Sequence, residues 1–271
     1  MTISSTDIVL VTIGLLSLIV LIGVGTFLAT RWLHPSHVDD APFGVIQAGA
    51  FALVGLLLGF SFSLSVARYD QRRTVTVREG NTITTTALRA QFLEPSVAQP
   101  MLNMLRSYVQ ARIDFASAGT ERAARNEPRG RSVALQTQMW ALAVRAGRSD
   151  PYSVETMLFI QALNEMIDVS REQAAALNAT IPDAVIGIVI VVIVLAGALL
   201  GSNYGRAGRF DVIAYALFAT MIALTLATIL DLDRPQRGFI RVPLDPLLNT
   251  QRLVDSLKPV ASPTGVPRRS R

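Results

Sequence analysis

The chain has no cysteine, which excludes a disulfide, a thiolate metal site and a cysteine nucleophile, and leaves the redox compartment unmarked. Charge is missing too from four long stretches, Ile8 to Thr30, Phe43 to Ala67, Ala184 to Ser202 and Val212 to Leu230. Each comes close to or exceeds the ~20 residues that a helix needs to cross hydrocarbon. A soluble core helix is not apolar on every side for that length. Lipid-exposed backbone must satisfy its own hydrogen bonds, and the alternating pattern of a membrane barrel is absent, so the expected spans are helices. No span contains an Asp, Glu, Lys, Arg or His. Proton relays and coupled pumps depend on such a group at membrane depth, and a midplane substrate site is usually marked by broken helices in matching halves. Neither signature is present, which argues against an active transporter.

What the chain does have is arginine, and its distribution orients the spans. Of the 25 Lys and Arg residues, none precedes the first run, Arg31 lies in the loop 31–42, fourteen lie in 68–181, two (Arg206 and Arg209) in 203–211, and eight in the tail. Positive charge stays cytoplasmic, and Arg68, Arg72, Arg73, Arg78, Arg234 and Arg237 lie close enough to span ends to count. Both termini and the central region are therefore expected in the cytoplasm. Asp7 and Arg31 around the first run point the other way, and the stronger bias after the second run is taken to decide. The first run has no basic leader and no small-residue cleavage site, so it reads as a span and not as a signal peptide.

The expected fold is all-α: a polytopic membrane protein with four transmembrane helices and a cytoplasmic helical bundle inserted between the second and third. Residues 1–67 make a first transmembrane hairpin and 68–181 a helical region continuous with the second and third spans. Residues 182–232 make a second hairpin and 233–271 a cytoplasmic tail whose end is disordered. No helix breaker ends the second span, which is expected to run on as a helix past Arg68. Leu102, Leu105, Val109, Ile113 and Ala116 mark one apolar helix face. GTERAARNEPRGR (119–131) reads as a loop and Ser132 to Ala146 as a helix. Ser149, Asp150 and Pro151 read as the start of the next, whose seam is Ile160, Leu163, Ile167, Ser170, Ala174, Leu177 and Ile181. A short amphipathic helix is expected around Leu247 to Leu257.

Gly44, Ala48, Ala52, Gly55, Gly59 and Ser63 share one face of the second span, and Gly187, Gly197, Gly201 and Gly205 form a similar series on the third. Without a hydrophobic force between helices in lipid, such faces permit close backbone approach. The readings for Gly55, Gly59 and Ser63 are helix packing within a protomer, a subunit contact, or the wall of a pore. Hydroxyls cluster at Ser61, Ser63 and Ser65 and at Thr82, Thr84, Thr85 and Thr86, where backbone bonding within the helix competes with a permeation path. Arg68, Arg72 and Arg73 are expected in the same leaflet as Asp231 and Asp233, as a cytoplasmic salt-bridge network or a gate. His34, His37, Asp39 and Asp40 hold metal-ligand chemistry, but a Pro-containing loop gives no reason for them to converge, and no metal is expected.

Catalysis and cofactors are not expected. The central segment has no His or Cys, and neither a phosphate-binding Gly loop nor a GxSxG elbow is present. Its carboxylates, Glu79, Glu94, Asp114, Glu155, Glu165 and Asp168, alternate with arginine as solvated helix faces do. The net charge of +5 reflects cytoplasmic loops beside anionic lipid, and no basic stripe interleaved with aromatics suggests nucleic acid.

Several strings together resemble the bacterial bestrophin-like family. They are His34 before the second span, GLLLGFSFS within it, Arg68, Asp70, Arg72, Arg73, Glu79, Asn81 and Arg89 along its extension, and LDLDRPQRGFIRV after the fourth span. The resemblance implies a four-span subunit of a bacterial inner membrane whose second helix lines a central pathway in an oligomer, as in bestrophin anion channels. The aromatic neck and acidic calcium clasp of the animal channels are not found, so calcium gating is not implied. The expected function is an anion channel assembled as a homo-oligomer, with a pentamer the expected ring. The alternative is a non-conducting scaffold or sensor that signals through the helical bundle.

Overall fold

The second apolar run and the charged sequence after it form one unbroken helix, α1, Asp40–Ala90, of 51 residues, about 75 Å long at ~1.5 Å per residue. The computed structural model describes residue 23 and residues 40–118, 122–207, 212–233 and 240–258. Among these, α1 is followed by α2 (Pro95–Ser117), α3 (Arg122–Ser149), α4 (Val154–Asn178), α5 (Asp183–Ala207), α6 (Val212–Asp233) and α7 (Asp245–Ser256), with no strand. The first apolar run, apart from Gly23, lies outside the described residues, as do His34, His37, Asp39 and the end of the tail. Three regions, Gly44–Ala90, Val154–Leu200 and Ala216–Asp233, each hold a helical stretch long and apolar enough to cross a membrane. In the first of them the uncharged run ends at Ala67 and Arg68, Asp70, Arg72 and Arg73 follow.

The chain divides into two compact units, Met1–Tyr69 with Ala179–Arg241, and Asp70–Asn178 with Val242–Arg271. In the first, Val54 and Leu58 of α1, Val189, Ile193, Ala196 and Leu200 of α5, and Ala219, Ile222, Ala223, Leu226 and Ile229 of α6 form one apolar cluster. These positions recur every three or four residues, so each helix commits one stripe to its neighbours. Phe51 and Phe218 add a tilted ring contact at 4.9 Å between centroids. The outer faces are apolar as well: Leu56, Phe60, Ile188, Leu195, Leu217 and Met221 are all exposed. A surface of that kind suits hydrocarbon and not water.

The second unit packs like a water-soluble bundle. Leu102, Leu105, Val109, Ile113 and Ala116 of α2 are buried, as their spacing predicts, with Ile83, Ala87 and Ala90 of α1, Met139 and Ala143 of α3, Phe159, Leu163, Met166 and Ile167 of α4, and Leu247 and Val254 of α7. The seam on α4 is wider than the heptad suggests, since Phe159, Ala162, Met166, Val169, Gln173 and Ala176 form a second buried row beside it. The short helix expected near the end of the chain is α7. It lies over Gly80, where a Cβ would come within 2.9 Å of Thr250 Oγ1 and 3.2 Å of the Pro246 carbonyl oxygen. Thr250 Oγ1 donates within reach of the Gly80 and Pro246 carbonyls, at 3.1 and 2.9 Å.

Three boundaries differ from expectation. The 119–131 loop is helical from Arg122, with Pro128 inside α3. Arg131 grips Glu127 one turn back and reaches Asp114 of α2, and Ser132 Oγ donates to the Pro128 carbonyl, so side chains support a turn that Gly and Pro alone would disfavour. The cap of α4 is Ser153, whose Oγ accepts from the Thr156 amide at 3.0 Å, while Asp150 and Pro151 lie in the turn before it. Residues 179–182 are not helical, because Pro182 disfavours the helical conformation in the residue before it, so α4 does not run straight into α5.

Candidate functional site

The membrane half of α1 has two unlike sides. Val54, Leu58, Ser61 and Ser65 point into the protein. Gly44, Ala48, Ala52, Gly55, Gly59 and Ser63 are exposed, and no described residue lies within 4 Å of a Cβ placed on Gly55 or Gly59. The small-residue face is therefore not used for packing by the described part of its own protomer. On α5 the corresponding series is not one face: Gly187 is exposed and Gly197 buried.

The hydroxyls divide similarly. Thr76, Thr82 and Thr86 donate to the carbonyls of Arg72, Glu79 and Thr82, which is the backbone-bonding role. Thr84 Oγ1 instead meets Thr250 Oγ1 at 3.4 Å, and Ser65 Oγ is buried without a hydrogen-bond partner.

Of the charged residues singled out from the sequence, Arg72, Asp231 and Asp233 bond to backbone. Asp233 is buried, and both its carboxylate oxygens accept from the Ile181 amide, at 2.9 and 3.1 Å. It thus satisfies an amide that the 179–182 break leaves outside a helix. Asp231 Oδ2 accepts from the Ile240 amide at 2.9 Å. In the other unit Arg72, 2% exposed, donates from Nε to the Ala176 carbonyl at 3.2 Å, tying α1 to the last turn of α4. Arg68 is half-buried and Arg73 exposed.

A second constellation was not anticipated, and it corrects the reading of Glu79 as part of a solvated face. Glu79 is fully buried, and its Oε1 accepts from Arg112 Nε at 2.5 Å. Arg112, 3% exposed, also donates from Nη2 to Gln173 Oε1 and lies 4.9 Å over the Phe115 ring. Beside it the Tyr108 hydroxyl accepts from Gln136 Nε2 at 3.0 Å, and the same amide reaches Ser170 Oγ at 2.7 Å. Four helices thus share one polar cluster inside an otherwise apolar core. Burial raises the Glu79 carboxyl above its ordinary range despite Arg112, and burial likewise raises the Tyr108 phenol. Burial is the largest influence on Arg112 and would lower it, but the charges of Glu79 and Tyr108 and the hydrogen bond to Glu79 together raise the guanidinium, which stays charged. One signal was available in the sequence: Arg112 falls in register with Leu105, Tyr108, Val109 and Phe115, and a cation on a buried face requires a partner.

The chain matches the Bestrophin-like domain family over residues 17–247. Among solved structures it resembles a mutant of a bacterial Bestrophin homologue from Klebsiella pneumoniae, at 13% identity and a TM-score of 0.63, covering 90% of this chain and 97% of that one. A second mutant of that homologue gives 15% identity and 0.65, with 90% and 97% covered. A structure described as a membrane protein gives 14% and 0.64 over the same shares. No curated protein matches the sequence. At these identities the structures speak for the fold, while the family match takes in most of the sequence, including the small-residue face, Glu79, Arg112 and both aspartates. The chain, an integral membrane protein by its long apolar helices with their apolar outer faces, belongs to the Bestrophin-like family.

Proposed function

We propose that the chain assembles as a homo-oligomeric ring, expected as a pentamer, in a bacterial inner membrane, and that the ring conducts small anions with the membrane half of α1 facing the pathway. The observation that carries this reading is the face of Gly55, Gly59 and Ser63, which the described part of the protomer leaves open while Val54 and Leu58 on the other side are buried. One four-helix subunit is too small to enclose a pore, and a symmetric ring turns one face of each copy to a common axis. Small residues and a hydroxyl leave room there for water and offer polar contact without tight binding.

In this reading the chain has four spans, with both termini and residues 68–181 on the cytoplasmic side, where the arginine bias places them. Arg68, Asp231 and Asp233 in one unit, and Arg72 and Arg73 in the other, are taken as the candidate charged residues at the cytoplasmic end of the spans. The burial of Arg72 and Asp233 supports a fixed position for each. The central segment holds 14 basic and 11 acidic residues, a small positive excess that concentrates anions only modestly. The second reading, a non-conducting scaffold or sensor, draws on α1 being one unbroken helix over Asp40–Ala90.

The test is halide flux through the full chain in liposomes, compared with Gly55→Leu and Gly59→Leu, while particle images of the same samples count subunits. On the channel reading flux falls in the variants and the ring persists. A ring that passes no halide under varied voltage and pH favours the scaffold.

A further inference from the structure

Within the unit that begins at Asp70, the core spends a charged pair where apolar side chains would pack as well. The arrangement leaves one atom unaccounted for: Glu79 Oε2 is buried and has no hydrogen-bond partner. A carboxylate offers about four lone-pair sites. Oε1 meets Arg112, while Oε2 is left buried in a unit whose core includes Ile83 and Tyr108. An unsatisfied anionic oxygen in such a place is more costly than an unsatisfied neutral one.

The surroundings narrow what can answer that cost. From α2, Arg112 and Tyr108 face Glu79, and Arg112 already divides its donors between Glu79 and Gln173. From α4 the facing groups, Gln173 and Ser170, are neutral, as is Gln136 from α3. From α7, Thr250 and Pro246 stand against the neighbouring Gly80, and Asp245, Arg252 and Asp255 of that helix are exposed. On α1 itself, Arg72 lies two turns earlier and binds the Ala176 carbonyl, and Arg78 is exposed and paired with Glu172.

We propose that Glu79 is a proton-binding site that sets the packing of this helical unit: with a proton from solvent on Oε2 the α1, α2 and α4 helices pack dry, and without it the carboxylate draws water into the core and loosens their joint. The burial of the whole cluster, shared among four helices of one unit, makes one proton felt by several elements. The direction of the carboxyl's shift agrees, since burial raises it. A group whose folded pKa is raised stabilises the fold fully below its unfolded value, and this contribution is lost as pH rises through the folded value. The unit therefore gains stability on mild acidification and loses it toward neutral and alkaline pH.

The experiment is hydrogen exchange and chemical unfolding of the full chain in detergent across the range from the ordinary carboxylate region to alkaline pH, for the wild type and Glu79→Gln. In the wild type, amide exchange within 75–90 and 105–116 is expected to rise with pH after correction for intrinsic rates, by up to about tenfold per unit of separation between folded and unfolded pKa. Glu79→Gln, which has no proton to lose, is expected to give a flat profile. Superimposable wild-type and Glu79→Gln profiles overturn the proposal. Should Glu79→Gln not fold, infrared spectra of the wild type decide: a carboxylic acid band that persists above the ordinary carboxylate range and titrates with the exchange profile supports the site, and its absence refutes it.

Discussion

Gly80→Ala is expected to destabilise the protein although alanine is the better helix former. In an open helix the exchange gains about 0.8–1 kcal/mol. At position 80 the added methyl would stand 2.9 Å from Thr250 Oγ1 and 3.2 Å from the Pro246 carbonyl oxygen, so α7 must move. Overpacking of this kind costs about 1–3 kcal/mol. The same shift stretches the Thr250 contacts to the Gly80 and Pro246 carbonyls, at about 1 kcal/mol for a hydrogen bond. Complete release of α7 would expose Leu247 and Val254, both fully buried, at about 1.5–3 kcal/mol each, so a small displacement is favoured over release. The net expectation is a loss of about 1–3 kcal/mol, read as a lower unfolding midpoint and faster exchange of the α7 amides. Thr250→Ala removes the nearest clashing atom, so the double variant is expected to lose less than the sum of the singles. A Gly80→Ala protein that is more stable than wild type, with α7 exchange unchanged, would refute the packing of α7 described above.

Arg112→Met leaves Glu79 buried without its cation and is expected to cost about 3–5 kcal/mol at neutral pH; the loss shrinks as pH falls and Glu79 takes up a proton, and unfolding of Glu79→Leu/Arg112→Met is expected near wild type. Asp233→Ala removes the acceptor of the Ile181 amide, a charged hydrogen bond worth about 1.5–3 kcal/mol, and is expected to raise exchange at Ile181 with little effect within 70–178. Gly59→Leu, at a position with no described residue within 4 Å, is expected to leave the protomer's stability unchanged and to reduce halide flux.

Where chemistry is local, the sequence was readable. The uncharged runs from 43, 184 and 212 each fall within a helix, and the 3–4 spacing of Leu102 to Ala116 marks the buried side of α2, because solvent exclusion acts residue by residue on a regular helix. The exceptions arise where side chains from distant positions decide. Arg131 reaching Glu127 and Asp114 keeps a Gly- and Pro-containing segment helical, which no window on 119–131 contains. Ser153 displaces Asp150 as the cap because Pro151 and Tyr152 form a turn between them. At the candidate site, the spacing of Gly55, Gly59 and Ser63 identified a common face but not whether the protomer fills it. The Glu79 cluster was missed because its members lie 33 and 61 residues apart in sequence. Charge on an apolar helix face was the one local clue, at Arg112.

The central claim is that the open small-residue face of α1 borders an ion pathway. The most direct measurement is halide flux in liposomes containing Gly59→Cys, in a chain with no other cysteine, before and after reaction with a water-soluble charged thiol reagent. The account predicts that the residue is modified in the assembled ring and that flux then falls. Contradiction would come from wild-type liposomes that pass no halide, or from a conducting protein whose position 59 reacts to completion with flux unchanged.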